Sequence, residues 1–218
     1  MYEAVLLDVY GTLVHDDESW AATITARIAA LAGVDADTVT RAWTTRLWAL
    51  ADAAHGAAFR TLADLNTTSL TETADMFGVR VDATPPPPRP PAFYPDARAF
   101  LSAVEVPVCL VSDADGDRLR AVLDHHGITV DHVVTSEDAR AYKPRPEPFE
   151  LALRHLGLSA AAVVHVGDTP ASDIAGAAAL GIATAFLTRD GRRLPAHLTA
   201  THTVSTLTAL LPVLRRIH

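Results

Sequence analysis

From residue 106 onward, short apolar runs alternate with amphipathic segments, and that alternation constrains the fold more than any other feature of the chain. Residues 106–111, 132–135, 163–166 and 182–187 have strand length and are rich in β-branched side chains. Between them lie helix-like segments at 116–125, 147–156 and 172–180. Each ends near a glycine (Gly127, Gly157, Gly181), as helices often do. A further run of the same kind, residues 5–7, stands near the N-terminus. This order predicts an α/β fold, a Rossmann-like parallel sheet with helices on both faces.

Residues 16–82 break the pattern. They are rich in Ala, Leu and Trp, show no clear strand, and carry helical spacing over 42–54 and 62–77. Trp43, Leu47 and Leu50 fall at i, i+4 and i+7, one helix face. The expected organisation is a core from 1–15 and 95–218, interrupted by a small helical cap at 16–94. Its return linker, TPPPPRPPAFYP at 84–95, is stiff, polyproline-like chain.

A chain of 218 residues can bury a real core, and 49% hydrophobic with 20% charged residues is the balance of a folded protein. The net charge of -8, with no run of Lys or Arg, argues against nucleic acid or an anionic membrane as partner. Cys109, the only cysteine, lies within an apolar run and reads as a small core residue. No stretch approaches a membrane span and no signal peptide is evident. A cytoplasmic enzyme, monomer or homodimer, is expected.

In a parallel α/β sheet, ligands sit beyond the C-terminal ends of the strands. Four of the expected strands run into polar residues there. The first ends in Asp8-Val9-Tyr10-Gly11-Thr12 and the second in Ser112-Asp113. The third leads through Thr135-Ser136 to Lys143, the only lysine in the chain, and the fourth ends in GDTPASD, with Asp168 and Asp173. Clustered carboxylates repel one another unless a cation neutralises them, and an all-oxygen donor set favours Mg²⁺. A carboxylate beside Mg²⁺ can attack phosphorus and form an aspartyl phosphate, while metal and lysine offset the charge on the phosphoryl oxygens. A serine hydroxyl and the backbone N–H groups of a Gly-Thr turn suit the remaining oxygens.

The blocks DVYGTL, Ser112-Asp113, YKPRPEPF and GDTPASD, in that order, resemble the haloacid dehalogenase superfamily, most of whose members are phosphatases. The resemblance spans residues 5–14 and about 95–190, and the helical insertion falls where the family's small cap lies. It implies that Asp8 is the nucleophile and that the backbone carbonyl of Tyr10 faces the metal. Gly11 and Thr12 belong to the turn that holds the substrate, and Ser112 is the phosphate-binding hydroxyl. Lys143 pairs with Asp8 and the phosphoryl group. Asp168 is a metal ligand and Asp173 its partner, directly or through water. The activity implied is Mg²⁺-dependent hydrolysis of a small phosphorylated metabolite.

Tyr10 departs from that pattern. The phosphatases usually have a second Asp there, which protonates the leaving group and then activates water. Tyrosine, with a reference pKa near 10, is a poor general base at neutral pH. The metal-independent 2-haloacid dehalogenases of the family do carry D-x-Y-G-T, but tend to have Ser and Asn where this chain has Gly167-Asp168. Their cap tends to supply an arginine just after a tryptophan; here Trp43 is followed by Thr44, so that role is not transferred. The acids of the fourth block favour the phosphatase. A dehalogenase, or a low-turnover protein with a binding role or another reaction, stands as the alternative. Asp113 stands where Asn is common, and reads as a cap for the helix near Gly116 or as a substrate contact. His15 reads as an exposed loop residue or a substitute acid, His125 and His126 as complements to a helix dipole, and His165 as a core residue.

Overall fold

In the computed structural model, which describes residues 1–16, 19–84 and 89–214, six strands form one sheet. They are β1 (Ala4–Leu7), β2 (Val108–Ser112), β3 (His132–Thr135), β4 (Val163–Gly167), β5 (Ala183–Leu187) and β6 (His202–Val204). All neighbours pair in parallel, in the order β3-β2-β1-β4-β5-β6. The sixth strand is a departure from the five expected. It is a short, half-exposed edge, His-Thr-Val, too brief to register as an apolar run. The second strand starts at Val108 rather than 106, where the Val108 N–H is taken up by the Asp131 carboxylate at 2.9 Å.

The chain divides into two compact units, residues 1–16 with 90–218, and residues 17–89. The second unit consists of α1 (Ser19–Ala32), α2 (Ala36–Ala53) and α3 (Leu62–Met76), which pack on one another, with a single 3₁₀ turn at Gly56–Ala58. The buried stripe of α2 is Val39, Trp43, Leu47 and Ala51, four residues apart each time, while Leu50 is half-buried. The Trp43 indole donates to Ser69 Oγ on α3 at 3.0 Å, satisfying the one polar atom the stripe buries. Asp35 caps α2 by accepting from Thr38 N, and Thr61 caps α3 by accepting from Asp64 N.

In the first unit the sheet is covered on both faces, because successive strand residues point to opposite sides. Val5 and Leu7 of β1 and Val164 and Val166 of β4 join Phe100 of α4 (Pro95–Ala103) and Leu119 of α5 (Gly116–His126). On the other face, Leu6, Cys109 and Val163 pack with residues of two further helices. After the four-residue α6 (Ser136–Ala139), these are α7 (Pro146–Leu156), which supplies Phe149, and α8 (Gly176–Ala179), which supplies Ala177. Cys109 is fully buried, and burial pushes its thiol up to about 12, as suits a core residue. The helix expected at 172–180 is in part a π-helical turn, Pro170–Ala175, which runs into α8.

Residues 85–88 of the Pro-rich return lie outside the described residues. The rest of the return pairs with the chain leaving β1. His15 N donates to Ala92 O at 2.8 Å, Tyr94 N to Leu13 O at 2.9 Å, and Val14 bridges Phe93 in antiparallel sense. His126 Nε2 bonds Pro91 O at 2.8 Å, so this histidine also pins the returning chain at the end of α5. His15 stacks on Tyr94, ring centroids 3.9 Å apart, and the Arg189 guanidinium lies 3.9 Å from the same ring.

Candidate active site

The strand order reverses direction between β1 and β4, and this is where a crevice opens in such sheets. Asp8 is the first residue past β1; its N–H continues the ladder to Val166 O on β4 at 2.9 Å. The carbonyl of Val9 then accepts from the N–H groups of Thr12, Leu13 and Val14, closing a tight turn with Gly11 at φ +81. A side chain at Gly11 is excluded twice over. The backbone is left-handed there, and a Cβ would stand 2.7 Å from Asp168 Oδ1. The bare glycine therefore lets the β4 carboxylate rest on the β1 turn.

Lys143 links the two strand ends. It is buried, and Nζ donates to Asp8 Oδ1 at 2.8 Å and to Asp173 Oδ1 at 2.7 Å. Burial works against its charge, but Asp173, Asp8 and Asp113 outweigh it and hold the ammonium well above the ordinary lysine range. Asp173 also accepts from His165 Nε2 at 3.0 Å and, on Oδ2, from Thr169 N at 2.9 Å. Despite its burial, Lys143 and His165 hold Asp173 ionised below the usual carboxylate range. Asp8 and Asp168 differ. Burial, with neighbouring carboxylates adding to it, raises both, Asp168 to about 6.

One carboxylate oxygen from each of Asp8, Asp168 and Asp173 falls within a sphere where all three lie within 4.8 Å of one another. A single ammonium leaves this cluster net negative, and the Arg192 guanidinium reaches Asp168 Oδ2 only from the half-exposed rim, at 3.3 Å. Among the described residues, Asp8 Oδ2 has no hydrogen-bond partner, though it is buried. A hard divalent cation fits this set, since it supplies the missing positive charge and accepts all-oxygen ligands. Nor do the buried hydroxyls of Thr12 and Ser112 have a hydrogen-bond partner among the described residues. Two unsatisfied hydroxyls at the ends of adjacent strands are costly to a fold and useful to an anionic ligand.

Each residue singled out from the sequence can now be placed. Asp8, Lys143, Asp168 and Asp173 come together; Gly11 and Thr12 form the β1 turn; Ser112 ends β2, beside β1. Asp113 does not cap α5. Asp115 holds the N-cap position, the Glu137 carboxylate takes up Gly116 N at 2.8 Å, and Asp113 Oδ1 instead accepts from Lys143 N at 2.9 Å. The Tyr10 phenol is largely withdrawn from water, which pushes it up to about 12. His165 is more than a core residue, because its Nε2 grips Asp173. An inward-facing polar residue two positions before Gly167-Asp168 was the sequence signal for it. Arg189 carried no local signal. From the end of β5 its Nη2 donates to Thr12 O at 2.7 Å and its Nη1 to Asp96 at 2.7 Å, bracing the β1 turn.

Comparison with known proteins gives a match to the family described as haloacid dehalogenase-like hydrolase over residues 2–181. Haloacid dehalogenase-like hydrolase domain-containing protein 3 of Danio rerio is 38% identical over 96 residues, 43% of this chain and 40% of that protein. The ribulose-1,5-bisphosphate 5-phosphatase of Halopiger xanaduensis is 32% identical over 129 residues, 53% of this chain and 54% of that one. The chain thus spans about half the length of the curated relatives it matches. Among solved structures, the L-2-haloacid dehalogenase of Xanthobacter autotrophicus superposes with a TM-score of 0.74 over 100% of both chains at 19% identity, a likeness of fold.

Proposed function

The chain belongs to the haloacid dehalogenase-like hydrolases, and from that premise we propose that it is a Mg²⁺-dependent phosphatase of a small phosphorylated metabolite, acting through an aspartyl phosphate on Asp8. The observation that carries this reading is the convergence of the Asp8, Asp168 and Asp173 carboxylates within 4.8 Å around one buried lysine. Asp8 presents Oδ2 for attack, since Oδ1 is held by Lys143 and Oδ2 has no partner. The Oδ2–P bond forms as the ester P–O bond breaks; water then cleaves the aspartyl phosphate and releases phosphate. Lys143, Ser112 Oγ and Thr12 Oγ1 take the phosphoryl oxygens; the N–H groups of Gly11 and Thr12, which the sequence suggested for this, are already bonded to Val14 O and Val9 O within the turn. Asp8, Asp168 and the Tyr10 carbonyl, with Asp173 directly or through water, would hold Mg²⁺, which supplies charge neutralisation at the phosphoryl group.

The alternative, metal-independent dehalogenation of a 2-haloacid, is favoured by Tyr10. It asks a carboxylate substrate to approach a cluster whose carboxylates already outnumber its lysine, so the phosphatase is the better reading. A screen of phosphate esters with and without Mg²⁺, alongside a panel of 2-haloacids, tests the choice. Phosphate release that needs Mg²⁺ and vanishes in Asp8→Asn is expected. Halide release undiminished by EDTA, with no phosphate from any ester, would reverse the assignment.

A further inference from the structure

The reaction just described needs a proton for the departing oxygen, and the residue two positions past Asp8 cannot cycle one. Burial keeps the Tyr10 phenol protonated throughout the neutral range. Another group on the same strand ends is equipped for the task. Asp113 follows Ser112 at the end of β2, and β2 pairs with β1 in register, Leu7 beside Leu110. Its Oδ1 is fixed by the main-chain N–H of Lys143, the residue whose ammonium fixes Asp8. With Oδ1 taken, Oδ2 is the oxygen left to carry and deliver a proton.

We infer that Asp113 is the general acid and base of this site, in place of the carboxylate that Tyr10 lacks. The inference rests on the phosphatase reading and deepens it. In the first step the carboxylic acid of Asp113 gives its proton to the leaving oxygen as the ester P–O bond breaks, yielding the free alcohol and an Asp113 carboxylate. In the second, that carboxylate takes a proton from the water that attacks the aspartyl phosphate, and the Asp8 carboxylate is restored with release of phosphate. The environment of Asp113 suits both steps. Burial, with Asp173 and Asp8 adding to it against the pull of Lys143, pushes its carboxyl up to about 7, and the Asp113 charge is felt in turn by the Tyr142 phenol. An acid of that strength is available in both forms at neutral pH.

The test is the dependence of Asp113→Asn on the leaving group, in the full-length protein with Mg²⁺. Asn keeps the acceptor for Lys143 N, so folding is checked by circular dichroism and the chemistry by rapid-mixing release of the first equivalent of alcohol. The substrates are p-nitrophenyl phosphate, phenyl phosphate and a simple alkyl phosphate. The loss relative to wild type should grow along that series, reaching roughly 10²- to 10⁴-fold on the alkyl ester. Asp113→Glu, which restores the acid, should recover part of it. A loss equal across the three esters, or none, overturns the role of Asp113 while leaving the phosphatase standing. Wild-type protein that releases phosphate from no ester overturns both.

Discussion

At the scale of single residues, His165 shows how a buried polar side chain can serve a site without facing it. Its Nε2 donates to Asp173 Oδ1, Phe149 packs edge-on against the ring at 5.0 Å, and Nδ1 has no partner. The ionised carboxylate it faces calls for a hydrogen on Nε2. Such a bond orients the carboxylate it touches, and losing an orienting contact of this kind at a metal site typically costs about 10–100-fold in affinity or activity. His165→Phe keeps the volume and the contact with Phe149. On the phosphatase reading, the expected outcome is a folded protein whose phosphate-ester turnover falls by that range and whose Mg²⁺ requirement rises. His165→Gln, which retains an N–H donor, should recover part of the loss; equal defects in both variants would mean that packing alone is at stake. Residues of this class were the hardest to read from the sequence. That Asp8, Lys143 and Asp173 come together was legible because a parallel sheet gathers the residues at its strand ends. Asp113 was legible only as either a cap or a substrate contact, because an acid three residues before a glycine-led helix looks like a cap, and the N–H it binds belongs to a residue far along the chain. His165 sits in an apolar strand, and the carboxylate it grips returns only after the π-helical turn.

At the scale of elements, the strands of the sheet centre were legible because burial on both faces leaves them few polar positions, His165 of β4 being one, whereas β6, with one neighbour and partial exposure, needs no such run. The π-helical turn was not legible. Its widened ring is set by contacts on either side rather than by periodicity, and it delivers Asp173 to Lys143 just before α8 begins. The junction is tight. A Cβ on Gly176 would stand 2.9 Å from Pro144 Cα and 3.0 Å from Phe149 Cε2. The main chain at Pro144 cannot retreat without carrying its neighbour Lys143 away from Asp8 and Asp173. Gly176→Ala should therefore destabilise the protein by about 1–3 kcal/mol, as overpacking does, and lower turnover as well. A urea titration and steady-state rates measure the two effects. A variant with the wild-type midpoint and wild-type rates would show that α8 slides freely on the Lys143 loop.

At the scale of the whole molecule, the sheet unit has the features of a structure that closes on itself. Among the described residues, both hydrophobic clusters of the sheet draw on 1–16 and 90–214. Every carboxylate of the site, with Lys143, Ser112 and His165, comes from the same stretches. The chain leaves this unit and re-enters it at one place, since His15 N bonds Ala92 O and Tyr94 N bonds Leu13 O. A short Gly/Ser link from Asp16 to Pro90 thus replaces residues 17–89 without drawing the ends together over any distance, and loop closure is cheap for short spans. What remains is long enough to bury a core of its own. The expected outcome is a single cooperative urea transition with a smaller slope than the full chain, in proportion to the surface removed, and a far-ultraviolet spectrum poorer in helix. A broad, non-cooperative transition would mean instead that the sheet depends on residues 17–89 for its stability.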